Sequence, residues 1–201
     1  IGWKISETSA QGYNTSYAYN PNGKLTKTTL QGGEVTRITH DNMGRQSKVI
    51  PANLYSPALD NLAADTYGAD LGERYTYYSS GKVQIYKDAE GNTTAYEYGS
   101  YGNVKKETKP NGSIILYNYD NLNRLTTVQF KDNSSADPVL LESLTYLILA
   151  NGNNQKTDTK YLNDTATAVT TYTYDYKGRL IRQDNPDGTM KTANYNANGT
   201  I

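Results

Sequence analysis

The chain of 201 residues carries 20 basic and 20 acidic side chains, one His, no Cys, one Trp, one Phe and 20 Tyr. Zero net charge without long runs gives no electrostatic footprint for nucleic acid or an anionic membrane, and the absence of Cys removes disulfides, thiolate nucleophiles and Cys-based zinc sites. Aliphatic residues are sparse enough to raise disorder, but 20 Tyr, 25 Thr and 21 Asn favour strands joined by tight turns, and neutrality removes the self-repulsion that expands disordered chains.

The first residues, Ile1-Gly2-Trp3-Lys4, have neither an initiator Met nor the apolar stretch of a signal peptide. Because Gly199-Thr200-Ile201 stops where a turn leads into a strand, the sequence reads as a piece of a longer polypeptide. From Tyr17 onward a phrase recurs: aromatic, any residue, Tyr, Asp or Asn, two residues, Gly, a basic residue, an aliphatic. Its first copy is Tyr17-Ala18-Tyr19-Asn20-Pro21-Asn22-Gly23-Lys24-Leu25. A degenerate copy puts His40 in the Tyr place, followed by Asp41 and Gly44. An insertion at about 51–74 then breaks the beat. Within it Ser56-Pro57 is a helix start signal, and a short surface helix is expected over Ser56 to Ala64.

The phrase resumes at Tyr75 and Tyr77 with Gly81, at Tyr96 and Tyr98 with Gly102, and at Tyr117, Tyr119 and Asp120, where Asn123 takes the Gly place. A second irregular stretch covers about 131–171. There Asp132 to Pro138 reads as a long hairpin loop, Leu140 to Leu149 and Ala166 to Tyr174 as longer strands, and Tyr146 as the aromatic of a stretched repeat. The clearest copy is Tyr172-Thr173-Tyr174-Asp175-Tyr176-Lys177-Gly178-Arg179-Leu180, and Tyr195 to Gly199 begins a last one. The second aromatic falls at 19, 40, 77, 98, 119, 174 and 195, a step of 21 residues four times.

Side chains alternate across a strand, so both tyrosines of a copy share one face. The Asp caps turn amides and the Gly takes a positive φ. A return strand such as Arg179 to Gln183 ends in a second turn at Asn185-Pro186-Asp187-Gly188, matched by Lys109 to Gly112, Ala89 to Asn92 and Gln31 to Gly33. Two strands of about six residues and two turns of about four fill one period. The expected fold is all-β: consecutive antiparallel hairpin repeats forming a curved or spiralling sheet over 1–201, interrupted at about 51–74 and 131–171.

Catalytic signals are weak. His40 stands alone in a repeat aromatic position, which excludes a multi-His metal site and favours packing over a catalytic triad. Asp41, Asp120 and Asp175 share the turn Asp place, where capping outweighs a glycosidase-like carboxylate pair. The tyrosines invite a carbohydrate-binding reading, against which stands a ladder that holds the sheet. Asn-x-Ser/Thr sequons at Asn14, Asn92, Asn111, Asn133, Asn163 and Asn198 arise freely in such a composition and are assigned nothing. No catalytic, cofactor-binding or metal-binding residue is expected, and the chain is not read as an enzyme. The longest apolar run, Tyr146 to Ala150, is far short of a membrane span.

The phrases resemble the YD repeats of the RHS family, which includes bacterial Rhs polymorphic toxins, wall-associated proteins, the B and C subunits of insecticidal toxin complexes, and teneurins. Tyr174-Asp175, Gly178-Arg179-Leu180 and Pro186-Asp187-Gly188 carry the resemblance most specifically, while Tyr78, Gly99 and Asn123 depart from it. It implies a long β-sheet coiling into a hollow shell around a toxic or folded C-terminal segment. The partners are then the remainder of the shell and an enclosed polypeptide, and the location is secreted or cell-surface associated in a bacterium. The alternative is an adhesion module that binds a cell-surface glycan or protein through exposed tyrosines. Asp137-Pro138-Val139-Leu140-Leu141 lacks the Gly of the family's self-cleavage motif, so no cleavage site is carried over.

Overall fold

The computed structural model describes residues 2–61, 71–134, 137–163 and 165–201. Among them the chain is all-β, with sixteen antiparallel strands taken in sequence order and a single 3-10 helix. It divides into two compact units, residues 1–96 and 97–201, with one strand crossing the boundary.

The first unit holds β1 (Ser6–Thr8), β2 (Asn14–Tyr19), β3 (Leu25–Leu30), β4 (Val35–His40), β5 (Gln46–Ile50), β6 (Glu73–Tyr77), β7 (Val83–Lys87) and most of β8 (Thr93–Tyr98). The second holds β9 (Val104–Thr108), β10 (Ile114–Tyr119), β11 (Leu125–Lys131), β12 (Val139–Ile148), β13 (Asn154–Tyr161), β14 (Thr167–Tyr174), β15 (Leu180–Asp184) and β16 (Met190–Thr192). Within each unit every strand pairs with its chain neighbour.

One turn geometry recurs at both edges of the meander. The amide of the first turn residue donates to the carbonyl four residues on, and the amide of the fourth donates back to the first, as at Asn20–Lys24, Leu30–Glu34, Lys109–Ser113 and Asp175–Arg179. The fourth residue has positive φ, with Gly23 at 76°, Gly178 at 79° and Asn123 at 63°. Asn123 is the one non-Gly residue with positive φ among those described, and its short polar side chain tolerates that region better than most. Turns begin alternately 10 and 11 residues apart, as from Asn20 to Leu30 to Asp41 and from Asp175 to Asn185 to Asn196, and together these give the period of 21.

Unequal halves of the period move the register in one direction. Ala18 pairs with Lys27 and Tyr19 with Leu25, leaving Thr26 as a bulge. Equivalent shifts lie at Thr39/His40, Thr76/Tyr77, Asn118/Tyr119 and Thr173/Tyr174. From the rung Lys27–Arg37, the turn at Lys24 is two rungs up because Thr26 is looped out, whereas the turn at Asp41 is four rungs up. This hairpin therefore ends two rungs beyond its predecessor. The rungs Lys48–Arg74 and Arg182–Thr192 give the same offset, so the insertion between β5 and β6 leaves the phase intact; across the irregular stretch the turn at Leu149 stands four rungs beyond that at Arg124 and the turn at Asp175 is level with it.

That insertion lies on the face opposite the tyrosines. Its described helical part is the 3-10 helix Pro57–Asn61; residues 62–64 of the expected helix lie outside the described residues. Lys27, Arg37 and Ile50 share one row away from Tyr17 and Tyr19. Asp60 is tied to that row by Lys27 Nζ at 2.7 Å and Arg37 Nε at 3.2 Å, and accepts the Tyr55 hydroxyl at 2.7 Å. Beneath lie Ile50 (1% exposed) and Val35 (7% exposed), the small core of this unit. The strands β12 and β14 reach 10 and 8 residues, lengths that match the extended-strand expectation.

Candidate functional site

The signature residues converge on one repeated device at the turn that follows the paired tyrosines. In Asp175-Tyr176-Lys177-Gly178-Arg179, Asp175 Oδ1 accepts the amides of Lys177 and Arg179, each at 2.9 Å, and Oδ2 accepts Arg179 Nε at 2.7 Å. Asp120 with Arg124 and Asp41 with Arg45 repeat this arrangement. Fixed donors lower all three carboxyls. For Asp41 the Arg45 amide leads, for Asp120 the Arg124 guanidinium leads, and for Asp175 burial pushes upward but the Arg179 amide and guanidinium outweigh it.

Each arginine held in this way lies over a tyrosine of the next hairpin. Arg45 sits 4.5 Å from the Tyr77 ring centre, Arg124 4.2 Å from Tyr146 and Arg179 4.5 Å from Tyr195. The hydroxyl of that tyrosine then donates to the carbonyl of the residue after the arginine: Tyr77 to Gln46 at 2.5 Å, Tyr146 to Leu125 at 3.0 Å and Tyr195 to Leu180 at 3.0 Å. The result is a clasp in which Asp fixes Arg, Arg supports a ring, and the ring's hydroxyl closes onto the backbone beside Arg. The two-rung offset brings the next tyrosine over the preceding turn. Burial raises the Tyr77, Tyr119 and Tyr146 hydroxyls, keeping them protonated as donors.

Variants of the clasp show which parts are essential to the geometry. Tyr19 donates to the Lys4 carbonyl at 2.8 Å, with Trp3 in the arginine's place at 5.5 Å between ring centres. A Cβ at Gly23 would stand 2.8 Å from the Trp3 ring, so this glycine serves close approach as well as its φ of 76°. Tyr119 closes on the Val104 carbonyl at 2.9 Å. Tyr78 and Gly99 begin turns with the same main-chain bonds although neither has a carboxylate.

The other signature residues lie as follows. Gly44, Gly81, Gly102 and Gly199 are at positive φ in their turns. Tyr75 stacks on Tyr86 at 5.1 Å and donates to Glu73 at 2.7 Å, and burial holds its hydroxyl far above the usual range. Tyr17 donates to Glu7, and Tyr117 donates to Glu107 at 3.4 Å. The Tyr96 carbonyl accepts the Tyr78 hydroxyl at 3.0 Å, and Tyr98 ends β8. Tyr172 lies 5.6 Å from Lys156 Nζ, and Tyr174 pairs with Asn154 and Leu180. Sequence reasoning places the tyrosines in ladders with each other; among the contacts named here Tyr75–Tyr86 is such a pair, and the other tyrosines meet Arg, Trp, Lys, Glu or backbone. The basic residue in the phrase was the available signal for that pairing.

Among the described residues the sequence's catalytic candidates are not brought together. His40 is half-buried, with Nδ1 unpartnered, and burial and then Lys24 lower its pKa. Asp41, Asp120 and Asp175 are each saturated by their own turn. No group of three or more His, Cys, Asp or Glu that could hold a metal occurs among the described residues. No helix there is long and apolar enough to cross a membrane. Open grooves sit at steps of the turn edge: about 410 Å³ beside Lys24 and His40, about 380 Å³ beside Tyr101 and Asn121, and about 640 Å³ beside Tyr146 and Ile148.

No family model matches this sequence, and no curated protein matches it. Solved structures share its fold. The Tc holotoxin pore of Photorhabdus luminescens superposes over 92% of this chain with a TM-score of 0.58 and 14% identity, as does TcdB2-TccC3 without its hypervariable C-terminal region. A TcdB2-TccC3 crystal structure covers 93% with a TM-score of 0.50 and 12% identity. This chain spans only 11% of the first two proteins and 14% of the third.

Proposed function

We propose that this chain is a stretch of the wall of a YD-repeat shell that encloses, protects or presents a toxin or another polypeptide for delivery, in a bacterial secreted complex. The observation that carries this reading is the clasp joined to the two-rung offset. A two-strand repeat advances about 9.5 Å sideways and climbs about 7 Å, a slope of roughly 35°, the tilt at which sheets close on themselves. Hairpins that step two rungs at a time, on average even across the irregular stretch, and are fastened to their neighbours build a continuous inclined wall. The fold likeness to Tc toxin structures supports the same role. All recognisable chemistry in the repeat is spent on fastening, which is why a non-catalytic role is favoured.

The test uses the complete parent protein. Protease treatment should leave a segment outside the β-repeats uncut while the wall is intact, and Arg124→Ala with Arg179→Ala should expose it. Cleavage of that segment at the same rate in the parent protein and in a version lacking the repeats would remove the proposal. A second reading, a saccharide-binding surface, draws on the groove where Tyr101, 77% exposed, stands beside Asn103, Asn118 and Asn121. Binding on a glycan array that Tyr101→Ala abolishes would favour it, and an empty array would end it.

A further inference from the structure

Two long strands, β12 and β13, bring two carboxyl groups onto the tyrosine face. Glu142 lies opposite Lys160, and Leu144 lies opposite Asp158. These four share a face with Tyr146, so Glu142 and Asp158 are diagonal neighbours within side-chain reach. Both are half-buried beside Leu144, which is 6% exposed; Val128 of β11 stands opposite Glu142, and Thr170 of β14 stands opposite Asp158. Asp158 Oδ1 is buried with no hydrogen-bond donor in place, and its diagonal neighbour Glu142 has its carboxyl raised first by burial and then by the Asp158 carboxylate. Two ionised carboxylates are acceptors only. One proton resolves both facts.

We propose that Glu142 and Asp158 form an acid-tightened fastening between β12 and β13, with protonated Glu142 donating to Asp158 Oδ1, and that this seam loosens when the proton leaves. Lys156 and Lys160 of β13, Tyr146 of β12, and Tyr172 and Tyr174 of β14 are further titratable groups on this face, with Arg124 over the Tyr146 ring; β11 presents Val128 opposite Glu142. The two lysines oppose the effect without cancelling it, for Glu142 is raised first by burial and then by its bond to Asp158. Lys156 is also directed over the Tyr172 ring at 5.6 Å. A folded-state pKa above the unfolded one means the stabilisation is fully present below the ordinary carboxylate range and disappears as pH rises through the raised value. The fastening does not depend on the shell reading.

Amide exchange of the intact chain, corrected for intrinsic rates, tests this. Protection of Leu144 to Ile148 and Asn154 to Thr159, relative to the β2–β3 hairpin, should be constant in acid and fall by up to about tenfold per pH unit above the Glu142 titration. Glu142→Gln supplies a permanent amide donor and should give a flat, high profile. Asp158→Asn, which donates to Glu142 instead, should also be flat. Glu142→Ala leaves Oδ1 without a donor and should be flat and low; if that variant does not fold, the first two still decide. A wild-type ratio that does not change between about pH 3 and pH 8, or a Glu142→Gln variant that keeps the wild-type slope, overturns the proposal.

Discussion

At the fourth turn position the constraint is the backbone angle rather than space. Nothing lies within 4 Å of a Cβ built on Gly178, yet its φ is 79°, while Asn123 occupies the same position at 63°. Gly178→Val should therefore cost about 2 kcal/mol from the left-handed backbone alone, and Gly178→Asn clearly less; urea unfolding of the two variants separates them. The caps at Asp41, Asp120 and Asp175 add a pH dependence of opposite sign to the Glu142 pair. Their folded carboxyls titrate below the ordinary range, so their stabilisation is complete above that range and vanishes as pH falls through the lowered values. Asp175→Asn keeps an acceptor for the turn amides but loses the arginine. It should melt earlier at neutral pH and lose less on acidification, as thermal scans at pH 7 and in acid will show.

The hairpins were legible in the sequence because the signals that define them are local: a positive-φ residue, a cap three positions before it, and alternation on either side. The clasp was not, since Arg124 and Tyr146 meet only after the bulge and the β11–β12 register have placed one hairpin's turn beside the next hairpin's strand. Tyr146 itself was recoverable as a stretched-repeat aromatic, but its partner lay in another repeat. For the insertion, sequence punctuation found the start at Ser56-Pro57, but not the contacts of Asp60 with Lys27, Arg37 and Tyr55, which form across the sheet face. The insertion rejoins the ladder through Gly72, whose φ is 72° and where a Cβ would stand 2.0 Å from the Val49 carbonyl oxygen. Both atoms in that clash are fixed backbone. Gly72→Ala should cost on the order of 3 kcal/mol or more, and amide exchange should show the damage concentrated in β5 and β6, with β2–β3 nearly unaffected.

A meander built from neighbour-only contacts gains stability roughly by addition, since each hairpin is supported by the one before and supports the one after. The odd period matters to that growth. Side chains alternate with a period of two, so a 21-residue repeat would exchange its faces at every copy if it were a plain ladder; the looped-out residue at Thr26, Ser47 and Ile181 absorbs the odd residue and keeps the tyrosines on one face. Two consequences can be measured in one experiment. Duplicating residues 20–40 as a 21-residue block adds one hairpin in phase, with its bulge and both turns, and should raise the melting temperature or leave it unchanged. A 20-residue duplication that omits Thr26 removes the bulge and throws the added return strand out of step, with the tyrosine face broken at the junction. It should melt well below the parent and expose tyrosine to solvent, visible as a loss of near-ultraviolet dichroism. Equal stability of the two duplications would show that the bulge is incidental and that the two-rung climb has another origin.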